Sequence, residues 1–169
     1  MSQTPDLAAF PPLLRADTRV IVLGSFPGVA SLKAQAYYAH PRNQFWPIVG
    51  QILDEPFAEL DYPNRVERLL AHGVGLWDVY GACSREGSLD SAIRQPVPND
   101  LGRLVREAPG LRLIIHNGAE SGRRIHETRA LGVEAVRLPS TSPANARLSL
   151  SEKLEHWRAA FARAGLPDV

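Results

Sequence analysis

Apolar positions fall along the chain in short runs that switch between continuous blocks and a helical period. Val20, Ile21, Val22 and Leu23, within Arg19 to Ser25, form an unbroken apolar run ending at Gly24, the pattern of a strand covered on both faces. From Asn43 onward Phe45, Val49, Ile52 and Leu53 share one helical face until Pro56 ends the pattern. Val66, Leu69 and Leu70 mark a shorter helix after Pro63. Val74 to Tyr80 reads as a second strand, and Asn99 is placed to cap a helix carrying Leu101, Leu104 and Val105 until Pro109 and Gly110 stop it. Leu111 to His116 is the third strand, a helix follows around Ile125, and Val133 to Leu138 is the fourth strand. Ser149 and Glu152 have capping-box spacing before a last helix whose Leu150, Leu154, Trp157 and Phe161 lie together. Residues 1–18, broken by Pro5, Pro11 and Pro12, lack a period and read as an arm packed on the surface.

Strands separated by helical stretches require crossovers. The expected fold is therefore α/β, a three-layer α/β/α sandwich around a central, mostly parallel four-stranded sheet. A chain of 169 residues suits a single domain over 1–169. Ligands of such sheets bind beyond the carboxyl ends of the strands. Here those ends are Gly24 to Gly28, Asp78 to Gly81, Asn117 to Gly118 and Pro139 to Asn145.

Composition narrows the chemistry. Cys83 is the sole cysteine, which excludes an internal disulfide, a cysteine-held iron-sulfur cluster and a Cys-rich zinc site. No metal and no cofactor are expected. No apolar run is long enough to span a bilayer, and the N-terminus lacks the basic start of a signal peptide, so a cytoplasmic, membrane-free protein is expected. A net charge of +1 gives no global attraction to nucleic acid, although a local basic face would suffice for a few phosphates. All 19 basic side chains except Lys33 and Lys153 are arginine, which suits forked phosphate contacts and equally reflects genomic base composition.

Three segments carry candidate chemistry. Gly24, Ser25, Phe26, Pro27 and Gly28 make a strand-to-helix turn whose amides can approach an anion or a base edge, but no Walker Gly-Lys-Ser/Thr or GxGxxG pattern accompanies it. Tyr37, Tyr38, Ala39, His40, Pro41, Arg42, Asn43, Gln44, Phe45 and Trp46 mix aromatic faces that stack on a base with amides that pair with its edge. Phe45 and Trp46 are expected in the core. The loop Pro139, Ser140, Thr141, Ser142, Pro143, Ala144, Asn145 offers hydroxyls and amides for phosphates, with an apolar tip to press into a base stack.

Together these segments resemble the uracil-DNA glycosylase superfamily, and most of all its hypoxanthine-DNA glycosylase branch. The resemblance rests on GSFPG at 24–28, YYAHPRNQFW at 37–46, GLWDVY at 75–80 and LPSTSPANA at 138–146, in the expected order along the chain. It implies a DNA repair enzyme that flips deaminated bases, hypoxanthine or uracil, out of DNA and leaves an abasic site. The mismatch-specific relatives carry a catalytic Asn inside the first turn. Phe26 stands there instead, and the hypoxanthine branch implies Asn43 in that role. The resemblance further gives Tyr38 as the aromatic stacking on the flipped base, and Ser140 as the start of the loop that contacts DNA.

Among titratable groups, Asp78 at its strand end is the first choice for activating water, ahead of His40, His116 and Asp90. An aspartate there also suits a turn cap, and Asp90 suits a helix start. Gly24, Ser25, Phe26, Pro27, Tyr38, His40 and Asn117 are the expected base pocket. Ser140, Thr141, Ser142, Pro143, Asn145 and Arg147 are the expected DNA contacts, Arg147 ranking before Arg42, Arg123 and Arg124. The pocket motifs hold no lysine, so a Schiff-base step is not expected. The expected partner is DNA with deaminated bases, bound by a monomer. Two other readings stand beside this one: an enzyme binding the phosphates of free nucleotides, and a non-catalytic binder of damaged DNA.

Overall fold

The computed structural model describes residues 6–167. Its strands are β1 (Leu7–Ala8), β2 (Val20–Gly24), β3 (Val74–Asp78), β4 (Tyr80–Ser84), β5 (Arg94–Pro98), β6 (Leu113–Asn117) and β7 (Glu134–Leu138). Its α-helices are α1 (Val29–Ala34), α2 (Phe45–Leu53), α3 (Tyr62–Ala71), α4 (Arg103–Glu107), α5 (Ala119–Gly122), α6 (Ile125–Arg129) and α7 (Leu150–Arg163).

β3, β2, β6 and β7 lie side by side in that order, all parallel. Every residue of β2, β3 and β6 is buried because both faces of the sheet are covered. Val20, Val22, Val74, Leu76, Leu113 and Ile115 meet Phe45, Trp46, Leu69, Trp157 and Phe161 from α2, α3 and α7 on one face. Ile21, Leu23, Trp77, Ile114 and Ala135 meet Leu101, Leu104 and Ala108 on the other. Period-two alternation thus feeds two cores from one set of strands, giving the three layers. The Ser149–Glu152 capping box starts α7, with both reciprocal hydrogen bonds at 3.1 Å.

The chain runs from β2 outward to β3, then returns to lay β6 and β7 on the other side of β2. This reversal is a topological switch point, and a crevice opens where the carboxyl ends of β2 and β6 diverge.

Three expectations change. The second apolar run is two strands: it leaves the parallel sheet at Val79, and β4 joins β1 and β5 in a small antiparallel sheet. β5 is exposed throughout and contains Pro96 and Pro98, so it has no apolar alternation to read. Asn99 caps no helix. Its Nδ2 donates to the Asp78 carbonyl at 2.8 Å and its backbone N–H to the Val79 carbonyl at 2.8 Å, so it fixes the end of β3, while Gly102 precedes α4. Within the expected arm, residues 6–18 are not merely laid on the surface: Leu7 and Ala8 pair with β4, and Leu13 exchanges backbone hydrogen bonds with Leu76 at 2.8 and 3.0 Å. Residues 1–5 of that arm lie outside the described residues.

Candidate active site

A cavity of about 760 Å³ occupies the switch point, within the usual range of small-molecule sites. Gly24 through Gly28, Tyr38, His40, Asn43, Asp78, Asn117, the end of β7, residues 139–145 and Arg147 all line it, so three sequence segments far apart in the chain meet in one place.

The floor is formed by the strand ends. Gly24 and Asp78 are register partners, and a Cβ on Gly24 would come within 2.6 Å of Asp78 Oδ1 and 3.3 Å of the Tyr38 hydroxyl. The missing side chain at Gly24 is what lets the carboxylate and the phenol converge there. Asp78 is 4% exposed, and its Oδ2 is buried without a hydrogen-bond partner. Burial, reinforced by the Asp90 charge and opposed by Arg85, pushes its carboxyl up to about 7. Burial and the adjacent Asp78 push the Tyr38 hydroxyl well above the usual phenol range, so Tyr38 stays a neutral hydrogen-bonding group.

Tyr38 adopts φ +54°, a conformation unfavourable for an aromatic residue. Its ring stacks on Phe45 at 4.2 Å, and the Ala39 N–H donates to Ser31 Oγ at 3.1 Å, which together hold this strained corner. Asn43 is half-buried at the start of α2, and its Oδ1 accepts the Phe45 N–H at 2.9 Å. That bond uses the oxygen end of the amide for the backbone and, because the amide is planar, fixes the direction of its NH2 end. His40 Nδ1 accepts the Arg42 N–H at 3.0 Å.

Asn117 lines the cavity but works mainly as a staple. Its Nδ2 donates to the Tyr38 hydroxyl at 3.2 Å and Thr141 Oγ1 at 3.0 Å, while its Oδ1 accepts the Thr141 N–H at 3.0 Å. Gly118, at φ +97°, lets Ser140 approach so closely that a Cβ there would lie 2.9 Å from the Ser140 Cβ. The loop also folds on itself, with Ser140 Oγ accepting the Ser142 N–H at 3.1 Å and Ser142 Oγ accepting the Ala144 N–H at 3.2 Å. Thr141 is buried, whereas Pro143, Ala144 and Arg147 are exposed at the mouth.

Lys153, singled out in the sequence only as one of two lysines, proves to be part of the site. It is 1% exposed, and its Nζ donates to Gln44 Oε1 and to the Asn145 carbonyl, both at 2.8 Å. Burial lowers its pKa. It therefore ties the residue beside Asn43 to the loop after β7, and Trp157 Nε1 adds a bond to the Pro139 carbonyl at 3.0 Å. The available signal was a lysine on the apolar face shared by Leu154, Trp157 and Phe161.

Arg85, missed in the sequence, lies behind the first turn: its guanidinium covers the Phe26 ring at 5.3 Å and donates to the Pro27 carbonyl. Other expected residues lie elsewhere. His116 is fully buried between Ser121 and Thr128, at 2.9 and 2.7 Å, and burial pushes its pKa down to about 4. Ser121 Oγ donates to the Leu23 carbonyl at 2.7 Å and Thr128 Oγ1 to the Ile125 carbonyl at 3.0 Å, so both hydroxyls link the ring to the backbone. His116 is a packed histidine, outside the cavity lining. Arg123 pairs with Glu120, and Arg124 pairs with Glu127 and covers Tyr80; neither lines the cavity.

Among the described residues, no group of three or more His, Cys, Asp or Glu side chains is arranged to hold a metal, and no helix is long and apolar enough to cross a membrane. The family described as the uracil DNA glycosylase superfamily matches residues 11–164. A protein of Methanosarcina barkeri named hypoxanthine DNA glycosylase is 40% identical over 154 residues, covering 91% of this chain and 97% of the relative. A protein of the same name from Methanosarcina acetivorans is 40% identical over 152 residues, 90% of this chain and 96% of its own length. A solution structure from Methanosarcina acetivorans, described as a candidate uracil DNA glycosylase, superposes with a TM-score of 0.84 at 38% identity, covering 93% of this chain and 97% of the other.

Proposed function

The chain belongs to the uracil DNA glycosylase superfamily, and we propose that it is a monofunctional DNA glycosylase that flips hypoxanthine or uracil into this cavity and hydrolyses its glycosidic bond. The observation that carries the reading is the meeting of the Asn43 amide and the buried, unpartnered Asp78 carboxylate in one cavity at the switch point. Departure of the base builds positive charge on the sugar and negative charge on the base. In this reading Asn43 donates from its NH2 to the departing base, because its oxygen is engaged with Phe45. Asp78, ionised near neutral pH, takes the proton of the attacking water. Phe26, Pro27 and Tyr38 shape the apolar side of the base pocket. Ser140, Ser142, Asn145 and Arg147 meet the phosphates, and exposed Pro143 presses towards the stack. One copy supplies all of these groups, which favours a monomer working on cytoplasmic DNA.

Among the described residues no lysine lines the cavity, and a Schiff base needs such an amine. Labelled duplexes containing hypoxanthine or uracil should therefore stay intact after incubation and break only on alkali treatment. Undamaged strands after alkali would reject the enzyme reading, and tight binding without abasic sites would identify a damage binder instead.

Lys153 supplies a second prediction. Its buried ammonium is the donor to two neutral oxygens, so Lys153→Met leaves both acceptors without that donor and should lower the melting temperature by a few degrees. The loop loses its tie to Gln44, and KM for damaged duplex should rise by about fivefold or more while kcat changes less. Single-turnover titration reads the split, and an unmoved KM would show that the loop holds its shape without the lysine.

A further inference from the structure

The connection between β4 and β5 clasps the glycine turn. Ser25 Oγ donates to Asp90 Oδ1 at 2.6 Å, Arg85 donates to the Pro27 carbonyl, and Ser88 Oγ accepts the Val29 N–H at 2.8 Å, so every second residue from 25 to 29 is tied to this connection. Ser88 and Asp90 line the cavity. Arg85 lies outside the lining, with its guanidinium against the Phe26 ring.

Among the described residues, the buried side-chain polar atoms that lack a hydrogen-bond partner are Asp78 Oδ2 and the Nε and Nη1 of Arg85. A carboxylate in the cavity and a guanidinium behind its wall are thus each left short of partners at the same turn. Buried donors without partners cost stability. Attraction between the guanidinium and the cavity carboxylates offsets part of that cost, because buried charges are poorly screened. The ionisable side chains that face Asp78 are Tyr37, Tyr38, Asp90 and Arg85. Both tyrosines stay neutral, Asp90 opposes ionisation of Asp78, and Arg85 favours it. His40, Arg137 and Arg147 also line the cavity, but they are not among the charges that move the Asp78 carboxyl.

We propose that Arg85 is a positioning residue of the excision reaction: clasped behind the glycine turn, its guanidinium supplies the positive field in which Asp78 works as a carboxylate although Asp90 shares the cavity. This rests on the glycosylase reading above, with Asp78 as the group that takes the proton of water.

The test is a pH profile of single-turnover hypoxanthine excision for the wild type, Arg85→Gln, Arg85→Met, Arg85→Lys and Asp90→Asn. Carbon-13 NMR of the Asp78 carboxyl follows its ionisation in the same proteins without substrate. Glutamine retains a donor for Pro27 and methionine an apolar stem on Phe26, while both lose the charge, so either one that folds gives the same readout. The acidic limb and the NMR midpoint should both move up by about 0.5–1 pH unit. Asp90→Asn should move both down by a similar amount. Arg85→Lys keeps the charge, and its midpoints should stay within about 0.3 unit of wild type even where its rate falls. Opposite displacements on removing opposite charges are a result that a purely structural role would not give. An acidic limb that the neutral variants leave in place, or displace no further than Arg85→Lys does, overturns the proposal while the glycosylase reading stands. So does a wild type whose rate has no acidic limb, since Asp78 is then not the base. A wild type that makes no abasic sites at any pH overturns both.

Discussion

Alanine at position 43 is expected to lower the single-turnover rate of base excision by about a hundredfold or more, the scale on which loss of one preorganised donor to a developing anion is felt. The asparagine has two duties, and a second variant separates them. Its oxygen accepts the Phe45 N–H at the first residue of α2, a local side-chain to backbone bond one residue before the N-cap Gln44, and removing such a hydrogen bond costs about 0.5–1.5 kcal/mol of stability. Asn43→Asp keeps an oxygen for Phe45 but loses the NH2 group and places negative charge near the departing base. If donation from the NH2 is what accelerates the reaction, the aspartate variant should be at least as inactive as the alanine variant while melting closer to wild type. If the oxygen served instead to orient water, the aspartate variant would retain most of its rate. Excision kinetics and thermal melts on the three proteins decide between these outcomes, and undiminished excision by Asn43→Ala removes the residue from the reaction altogether.

The central sheet was legible because its strands are nearly pure apolar runs. Val20 to Leu23 and Leu113 to Ile115 can be buried on both faces in only a few ways, and helical faces such as Phe45, Val49, Ile52 and Leu53 supply the cover. The small antiparallel sheet was not legible. β4 follows β3 after a single residue with no turn signal between them, the turn away from β3 depends on Asn99 reaching back across the chain, and β5 is built from exposed residues with two prolines. Local pattern cannot report a partner that lies 21 residues away.

The same contrast holds at the cavity. Gly24, Asp78, Asn117 and the segment from Ser140 could be nominated because they lie at strand ends, where the fold places ligands. Asn43 depended on the family resemblance. Lys153 and Arg85 lie in segments whose local sequence shows only a helix face or a polar loop. Their relation to the site exists through contacts across the fold, such as Lys153 to Gln44 over 109 positions. His116, at a strand end, suited a packed histidine as well as a pocket donor, and the packed alternative holds: its ring is enclosed by two hydroxyls that the sequence places five and twelve residues on.

Asp78→Asn should change activity and stability in opposite directions. With its carboxyl raised to about 7, the wild type gains the ionised base only as the pH passes that value. Its excision rate should therefore climb by up to about tenfold per pH unit below 7 and level off above it. The asparagine variant should lose roughly a hundredfold or more on the plateau and show no such rise, because its side chain does not titrate. Stability follows from the same burial. Between about pH 4 and 7 the unfolded chain already ionises this group while the folded protein does not, so rising pH removes folding stability across that window and nothing further is lost above it. The interval from the ordinary carboxyl value of 3.8 to about 7 corresponds to roughly 4 kcal/mol at about 1.4 kcal/mol per unit, an upper figure for a site that opens to solvent in the cavity. His116 acts in the opposite sense over nearly the same range, since its depressed pKa costs stability as the pH falls from about 6.5 to about 4, but it is present in both proteins and cancels from their difference. The asparagine variant should thus melt higher than wild type at pH 8, with the gap closing towards pH 4. A difference in melting temperature that does not vary with pH, together with an unaltered acidic limb in the rate, would show that Asp78 is held neutral for structural reasons and that another group activates the water.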